Sequence, residues 1–393
     1  MVELYGKTLS RRQVSERSGM LSQFAGVRLM TLGDGVERGI RMLEFRTGSG
    51  LRFTALVDRA LDIADCDFRG QAIGWHSPSG FRHPGLHDYE GEQGLGWARS
   101  FSGLLLTCGL DHILGRDEVS ADTYNYPGKK SVVHSLHGRI GTIPARLTGY
   151  GEAWDGDRCV LWAEAIVQQA TVFGEDLHLL RRIEADVGGN EIRLSDRVVN
   201  HGFNRTPHMY FYHINVSHPL LDEGSRYLAP IKDVVWARHA GERYEAQQVG
   251  YRTMPAPQLG FSEQVWQHEM AANATGEVPV AVVNDRLGLG FEVVTRKDQL
   301  PCAYQWQNFQ AGQYALGIEP STHHVLGNLA ARERGEMIWL EHGESRSYDA
   351  VFRVLDGTDE IIAAERRIAG IAQQPREEYP RPSGNFPKLA GRA

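Results

Sequence analysis

The sequence predicts a mainly β protein. Segments in which polar and apolar residues exchange at every second position recur along the 393-residue chain, and this alternation is typical of sheets with one solvated face. Helical patterns are sparse and are confined to residues 10–19 and 358–371, the second with an acidic start and a later Arg-Arg pair that suit the helix dipole. Strands and helices do not alternate, so a doubly wound nucleotide-binding fold is not expected.

The strand pattern begins near Val27 and continues almost to the C-terminus. The clearest hairpin joins residues 177–185 to residues 191–199 through the turn Gly188-Gly189-Asn190. Further strands are predicted at residues 41–46, 51–57, 159–167, 278–283, 290–295, 337–340 and 347–355. Residues 83–97 are rich in glycine and charge and predict a long surface loop, which either borders a ligand cleft or is a solvated connection.

We expect one large domain over residues 1–372 and a Pro-rich tail over residues 373–393. The tail carries four prolines and many polar residues, which indicate an extended or mobile segment. All-β domains often exceed 200 residues, so the length alone does not require two domains. The sequence shows neither an internal repeat nor an interdomain linker.

Composition indicates a globular protein with a large core, because hydrophobic residues make up 41% and charged residues 23%. The formal net charge of −7 gives no electrostatic case for nucleic acid or an anionic membrane as partner. A small neutral substrate fits this net charge better. The sequence leaves open whether the protein forms a homo-oligomer.

Cysteine spacing and the lack of long apolar segments bear on the compartment. The four cysteines are widely spaced, which favours buried thiols in a reducing environment over a disulfide scaffold or a structural zinc site; they are Cys66, Cys108, Cys159 and Cys302. Neither a secretion signal nor a membrane span is recognisable, so a cytoplasmic protein is expected.

Three residues far apart in the chain are candidates for proton transfer. Glu319 ends a mostly apolar strand, where partial desolvation would raise the pKa of its carboxyl and make it a better base. His213 shares a strand face with Asn215, so both can contact one ligand. His137 precedes Gly138, and glycine permits close approach of the backbone to a ligand. Such groups suit a reaction that moves protons between two oxygens.

Each candidate also has a structural interpretation. Glu319 could be an exposed carboxylate at a strand end, His213 a hydrogen-bonded histidine of a β core, and His137 part of a turn. Sixteen histidines raise a metal alternative, carried by His134 with His137, His208 with His213, or His323 with His324. No H-E-x-x-H helix or cysteine-histidine cluster accompanies them, so no metal is expected.

Motifs of other enzyme classes are missing from the sequence. It contains no G-x-S-x-G elbow, which argues against nucleophilic hydrolysis. It also contains no G-x-x-x-x-G-K-[ST] loop and no G-x-G-x-x-G after a strand, so ATP and dinucleotide chemistry are not expected.

Five segments, taken in order, resemble the aldose 1-epimerase (galactose mutarotase-like) superfamily, and more narrowly a poorly characterised branch of it. They are residues 58–63 (Asp-Arg-Ala-Leu-Asp-Ile), 105–110 (Leu-Leu-Thr-Cys-Gly-Leu), 135–138 (Ser-Leu-His-Gly), 212–215 (Tyr-His-Ile-Asn) and 314–320 (Tyr-Ala-Leu-Gly-Ile-Glu-Pro). The resemblance spans most of the chain. It implies a large antiparallel β-sandwich of the galactose mutarotase-like type with few short helices, and an enzyme that interconverts sugar anomers without a cofactor.

The resemblance also implies roles for the three candidates. Glu319 would be the base that takes the proton of the anomeric hydroxyl, and His213 the acid that protonates the ring oxygen. His137 would bind the sugar and help polarise its ring. Rotation about one carbon-carbon bond and reclosure would complete the reaction.

The chain departs from the family pattern at two points. Ile214 and Asn215 follow His213 where the family has proline and aromatic residues, and a proline comes only after His218, so His218 stays a second candidate for the acid. The arginine that contacts the sugar in the family has no clear counterpart, with Arg59 the first choice and Arg139 the second.

Other side chains are candidates for sugar binding. Trp306 could supply an aromatic platform or pack in the core, and Gln305, His323 and Asn215 could supply hydrogen bonds. Two alternative functions remain: a carbohydrate-binding protein without catalysis, and a metal-assisted isomerase or lyase that acts on an oxidised sugar and uses the three proton-transfer candidates as ligands.

Overall fold

Two large antiparallel sheets form the body of the protein in a computed structural model that describes residues 1–238, 249–377 and 379–390. With strands numbered in chain order, the eight-stranded sheet contains β11 (Arg146–Asp155), β12 (Arg158–Ala170), β13 (Asp176–Asp186), β14 (Glu191–Asn200), β24 (Ser345–Asp356), β20 (Leu289–Arg296), β19 (Glu277–Asn284) and β16 (Arg226–Leu228). The seven-stranded sheet contains β17 (Ile231–Arg238), β18 (Gln264–Met270), β21 (Cys302–Asn308), β22 (Ala315–Ser321), β15 (Thr206–Ser217) and β23 (Ile338–Leu340), with β8 (Leu105–Leu110) also paired to β15.

Smaller elements surround these sheets. A five-stranded sheet contains β3 (Gly26–Thr31), β4 (Arg41–Arg46), β5 (Leu51–Leu56), β6 (Asp62–Phe68) and β7 (Gln71–Ala72). Two hairpins pair β1 (Val2–Leu4) with β2 (Lys7–Leu9), and β9 (Asp117–Ser120) with β10 (Ser131–His134). The α-helices of the described residues are short: α1 (Arg11–Ser15), α2 (Gly91–Gly94), α3 (Gly327–Glu333) and α4 (Thr358–Ile371).

The predicted fold class, a mainly β antiparallel sandwich with few short helices, is confirmed. The hairpin predicted around residues 188–190 is present as β13 and β14, with Ile183 paired to Leu194. The C-terminal helix has the predicted bounds, and Ile361, Ala364 and Ile368 are buried on one side of it. The N-terminal helix is shorter than predicted. The capping box of Ser10 starts it as expected, but the helix already ends at Ser15.

The main core lies between the two large sheets. Inner side chains of β13 and β14, such as Leu179 and Leu194, belong to one buried cluster with Tyr212 of β15 and Leu316 of β22. Residues of β12 and β13 alternate strictly between buried and less buried positions, as expected for a sheet with one solvated face. This clustering shows that the two sheets pack face to face.

An arginine at the centre of this core joins the sheets. Arg181 of β13 is fully buried, and its guanidinium lies 2.6 Å from Asp62 and 2.7 Å from Asp196. The hydroxyl groups of Tyr210 and Tyr212 on β15 each donate to Asp196 at 2.7 Å. Moving β15 away from the eight-stranded sheet would break this network and leave a buried charge without its partner, which is costly. The network therefore holds β15 in place against that sheet.

Strand β15 is buried along nearly its whole length, so both of its faces are covered. Tyr210 and Tyr212 point to the core between the sheets, whereas Phe211 packs in a second cluster with Trp75 and Trp306. The predicted alternation along this strand is confirmed. The second cluster therefore covers the face of the seven-stranded sheet that is turned away from the eight-stranded sheet.

The C-terminal segment packs against the sheet rather than standing apart from it. Its described residues form no helix or strand, but the backbone of Ser383 donates to Val234, and Leu389 is buried beside Cys302 and Tyr304. The four cysteines are buried and free of disulfides, as predicted. No helix of the described residues has the length and apolar character needed to cross a membrane.

Candidate active site

Two neighbouring strands bring the predicted acid and base together. Strands β15 and β22 are antiparallel, and the register that pairs Ile214 with Ile318 sets His213 directly opposite Glu319. Directly opposed residues of an antiparallel pair project from the same face of the sheet. His213 Nε2 accordingly lies 3.1 Å from Glu319 Oε1, and both side chains are almost completely buried.

A glycine beside this pair makes the contact possible. Gly317 is two residues before Glu319 on the same face of β22 and pairs with Trp306 of β21. A Cβ atom on Gly317 would lie 2.8 Å from Glu319 Oε1, 3.0 Å from Trp306 Cβ and 3.1 Å from His213 Cε1. The space that the missing side chain leaves is therefore occupied by the carboxyl and imidazole groups.

His137 reaches the pair from the loop between β10 and β11. Its ring centroid lies 5.9 Å from that of His213, and Trp97 packs against it edge to face at 4.4 Å. Its backbone N–H donates to Leu114 and its φ angle is +59°. Gly138, predicted to let the backbone approach a ligand, instead lies against the backbone of the residue 109–112 segment, where a Cβ would be 2.3 Å from the Gly109 oxygen.

The three groups line one large cavity of about 1120 Å³. Much of the rest of its wall is aromatic, from Trp75, Trp97, Phe101, Trp236 and Trp306. Sugar-sized ligands are bound in such cavities by apolar walls with a few placed polar groups. The pair at the floor of this cavity can therefore contact a bound ligand from one side of the sheet.

Burial sets the charge state of the pair. It raises the pKa of Glu319 well above its usual range, and the carboxylate of Glu263 adds to this shift. It lowers the pKa of His213 to about 3, an effect that the nearby Asn215 side chain partly opposes. Burial, with His213 as second cause, also lowers the pKa of His137 well below its usual value. Burial thus favours the proton on Glu319 and a neutral His213, a state with the same proton count as the predicted carboxylate with imidazolium.

Of the six residues predicted to contact the sugar, Trp306 lines the cavity. The structure does not bring the other five to it; they are Arg59, Arg139, Asn215, Gln305 and His323. The guanidinium of Arg59 is buried and donates to backbone oxygens of Gly141, Ser100 and Arg82 at 2.9, 2.7 and 3.3 Å. These bonds occupy the side chain that sequence reasoning assigned to the sugar. Arg59 instead ties together the segments that form the cavity wall.

The other four are held by protein groups as well. Arg139 is paired with Glu175 at 3.1 Å, and the amide of Asn215 donates to the oxygens of Gly103 and His213. Gln305 donates to the oxygen of Tyr251, and the Nδ1 atom of His323 lies 2.8 Å from the hydroxyl of Thr322. His218, the second candidate for the acid, is exposed just after β15 and does not line the cavity.

Several cavity residues were missed by sequence reasoning; they are Trp75, Trp97, Trp236, Glu263, Arg82, Arg99 and Arg238. The indole N–H of Trp306 donates to Glu263 at 3.2 Å, so this carboxylate belongs to the same wall. One signal was present, because the loop predicted at residues 83–97 does border the cavity through Leu95 and Trp97. Within the described part of the chain, no three His, Cys, Asp or Glu side chains are grouped as metal ligands.

The fold is that of a galactose mutarotase-like protein, which confirms the resemblance to that superfamily. Within that class, the chain belongs to the family described as a domain of unknown function (DUF4432), which matches residues 37–354. No curated protein matches the chain.

Solved structures of similar proteins agree with this assignment. A Klebsiella pneumoniae protein provisionally named an aldose 1-epimerase is 25% identical, with a TM-score of 0.80 over 92% of this chain and 91% of its own. A galactose mutarotase-like protein from Clostridium acetobutylicum is 12% identical, with a TM-score of 0.57 over 86% and 100%. A galactose 1-epimerase from Lactobacillus acidophilus NCFM is 13% identical, with a TM-score of 0.51 over 84% and 99%. The last two support the fold alone.

Proposed function

We propose that the protein interconverts the anomers of a free sugar by general acid/base opening and closure of its ring. The observation that carries this proposal is the contact of 3.1 Å between Glu319 and His213 at the floor of the aromatic cavity. A reaction that moves one proton off an oxygen and another onto a second oxygen of the same molecule needs two such groups side by side. The named function of the similar Klebsiella protein is consistent with it.

The proposed reaction transfers two protons and conserves them. Glu319 as carboxylate takes the proton of the anomeric hydroxyl, while His213 as imidazolium gives a proton to the ring oxygen. The bond between the anomeric carbon and the ring oxygen breaks, and an open-chain aldehyde forms. After rotation about the adjacent carbon-carbon bond, the two transfers run backwards and the ring closes with the other configuration. No cofactor takes part in this scheme.

One proton is held by either Glu319 or His213, and burial favours its position on Glu319. After ring opening, Glu319 is protonated and His213 is neutral, which is the state that burial stabilises. Ring closure therefore starts from this protonation state, in which Glu319 carries the proton and His213 is neutral. Before a cyclic sugar can open, the proton must pass from Glu319 to His213, whose Nε2 lies 3.1 Å from Glu319 Oε1. Oε1 has no hydrogen-bond partner among the described residues, so the transfer requires the two groups to align first.

His137 is proposed to bind the sugar rather than to transfer protons. It lines the cavity and is only partly buried, so its ring is accessible to a ligand. A neutral imidazole with one free nitrogen can pair with a sugar hydroxyl. Trp306 and Trp97 both contact the ring of His213 and line the cavity, so they offer aromatic surface against which the apolar side of a pyranose can pack.

We also propose that the reaction takes place in the cytoplasm. All four cysteines are buried and none is in a disulfide. Unpaired thiols are the usual state of cysteine in reducing compartments.

The proposal is tested by measuring how fast freshly dissolved anomers equilibrate. We expect exchange NMR on a panel of aldoses to show at least one sugar whose anomers interconvert faster in proportion to protein concentration. Heat-denatured protein is the control. A sugar that binds but never equilibrates faster would contradict the enzyme and favour a carbohydrate-binding protein.

Gly317→Ala is expected to lower the rate of this reaction by about 10- to 100-fold, because misplacing reacting groups by about 1 Å has effects of that size. The new methyl group would displace the carboxyl of Glu319 or the ring of His213, since it would meet both closer than 3.2 Å. Gly370→Ala is the matched control, because its Cβ meets nothing within 4 Å. An alanine variant with the full rate and an unchanged thermal midpoint would show that this close packing does not matter.

A further inference from the structure

The cavity carries positive charge although the chain as a whole is acidic. Three arginines line it, Arg82, Arg99 and Arg238, against the carboxyl groups of Glu263 and Glu319. Burial raises the pKa of Glu319 and so disfavours its charged form. The wall thus carries three guanidinium groups against two carboxyl groups, in a protein whose formal net charge is −7.

The three arginines differ in how their charge is balanced. Arg238 pairs with Glu263 at 2.8 Å, and Arg99 pairs with Glu92, which does not line the cavity. Arg82 donates through Nε to the backbone oxygen of Arg99 at 2.9 Å. Among the described residues no carboxylate lies within ion-pair distance of Arg82. Its two terminal nitrogens are therefore free to bind an anion.

The position of Arg82 is fixed by the protein rather than by a ligand. Its bond to Arg99 joins the two arginines, and its own backbone oxygen accepts from the buried Arg59. A guanidinium held in place through Nε loses little further freedom when its two outer nitrogens bind a carboxylate or a phosphate in a forked arrangement. Arg82 is thus a prepared cationic group of the wall, joined to the backbone of Arg99, whose own guanidinium is already paired with Glu92.

The size of the cavity leaves room for more than a simple sugar. Its volume of about 1120 Å³ slightly exceeds the usual range for small-molecule sites, roughly 300–1,000 Å³. A cavity of this volume can hold a pyranose together with a further substituent, and the arginines line the same cavity as Glu319 and His213. The net charge of the chain favoured small neutral substrates, but local charge in a site decides recognition, because distant surface charges are screened within about 10 Å by salt.

We infer that the substrate is an aldose bearing an anionic group, a phosphate or a carboxylate, which Arg82 and Arg99 hold while the anomeric carbon lies at Glu319 and His213. This inference rests on the proposed function for the identity of the sugar as an aldose. Phosphate and carboxylate share the chemistry that guanidinium groups recognise, and the ligands of the test separate them.

Binding is measured first, because it does not require catalysis. Four tryptophans line the cavity, so their fluorescence reports occupancy. The protein with Glu319→Gln is titrated with glucose, glucuronate and glucose 6-phosphate, and with the corresponding forms of galactose. We expect at least one anionic form to bind about 10-fold more tightly than its neutral sugar, and this advantage to shrink at high salt. Preference for only one of the two anions identifies phosphate or carboxylate as the recognised group.

Arginine variants then test the assignment to Arg82. Arg82→Gln is expected to lower the ratio of anionic to neutral sugar affinity by about 10-fold, and Arg82→Lys to lower it less. Arg366→Gln, on the exposed side of α4, is the matched control and is expected to keep the ratio. Circular dichroism and thermal midpoints confirm that each variant folds.

The inference is overturned if neutral and anionic sugars bind equally, or if Arg82→Gln leaves the ratio as it is. Failure of the proposed function looks different: no sugar of either kind would equilibrate faster with the unaltered protein, whatever the affinities show.

Discussion

Glu319→Gln is expected to lower the rate of anomer interconversion by about 10²- to 10⁴-fold, the usual contribution of a general acid/base group. The amide cannot accept the proton of the anomeric hydroxyl. It is nevertheless close in shape and charge to the protonated carboxyl that burial favours in the resting protein. We therefore expect the fold and the affinity for sugar to persist, so that the loss falls on kcat and not on KM.

Exchange NMR at saturating sugar gives kcat, and tryptophan fluorescence gives the affinity. Glu333→Gln is the matched control, since this glutamate is exposed on α3 and does not line the cavity. If Glu319→Gln keeps more than a tenth of the catalysed rate, Glu319 is not the base. Loss of rate together with loss of binding would indicate a positioning role instead.

Acid is expected to destabilise the protein strongly between pH 7 and pH 5. Four fully buried histidines have a pKa lowered to about 3 or 4, and burial is the main cause at each one; they are His208, His213, His268 and His323. A free histidine has a pKa near 6.5. Below that pH the unfolded chain takes up protons that the folded protein cannot bind, so stability is lost as pH falls.

The expected loss of folding free energy is about 1.4 kcal/mol for each histidine and each pH unit. From pH 6.5 to 5, four histidines lose on the order of 8 kcal/mol of folding free energy. Glu319 acts in the opposite direction, because its pKa is raised in the folded protein and ionisation of the unfolded chain favours unfolding above pH 4.5. Glu319 therefore offsets part of this loss over the same interval. The loss from the histidines is comparable to the roughly 5–15 kcal/mol that stabilises a typical domain.

His268→Phe tests this account at one residue. Neither ring nitrogen of His268 has a hydrogen-bond partner among the described residues, and its ring packs against Tyr251 at 4.8 Å. The phenyl ring keeps that packing and removes the titrating group. We expect urea unfolding at several pH values to show a slope about 1.4 kcal/mol per pH unit shallower between pH 6 and 5.

The exposed His201, changed to Gln, is the matched control for this measurement and is expected to keep the slope of the unaltered protein. An acid slope that is the same with and without His268 would contradict the burial argument.

Local sequence patterns were sufficient for most of the fold. The β13–β14 hairpin follows from a Gly-Gly-Asn turn between two alternating segments, and α4 follows from its acidic start and apolar spacing. The opposite faces of Tyr212 and His213 follow from the two-residue period of a strand. These features depend on neighbours within a few residues, which is why one sequence can reveal them.

The contacts of polar side chains could be identified only from the tertiary structure. Arg59 and Arg139 look alike as candidates in the sequence, yet one binds backbone oxygens and the other a buried glutamate. Arg82 gave no local signal, although it lines the cavity. What such a side chain contacts depends on segments far away in the chain, and no local pattern encodes them.

The sequence by itself determined that strands would carry Glu319 and His213, and that a mostly apolar strand would end at Glu319, because these patterns are local properties of the chain. Only the tertiary structure decided that these two residues face each other, through the register of β15 against β22 and the space beside Gly317. It also decided their charge state, since desolvation depends on every segment that covers them. Pairing and burial are properties of the whole chain.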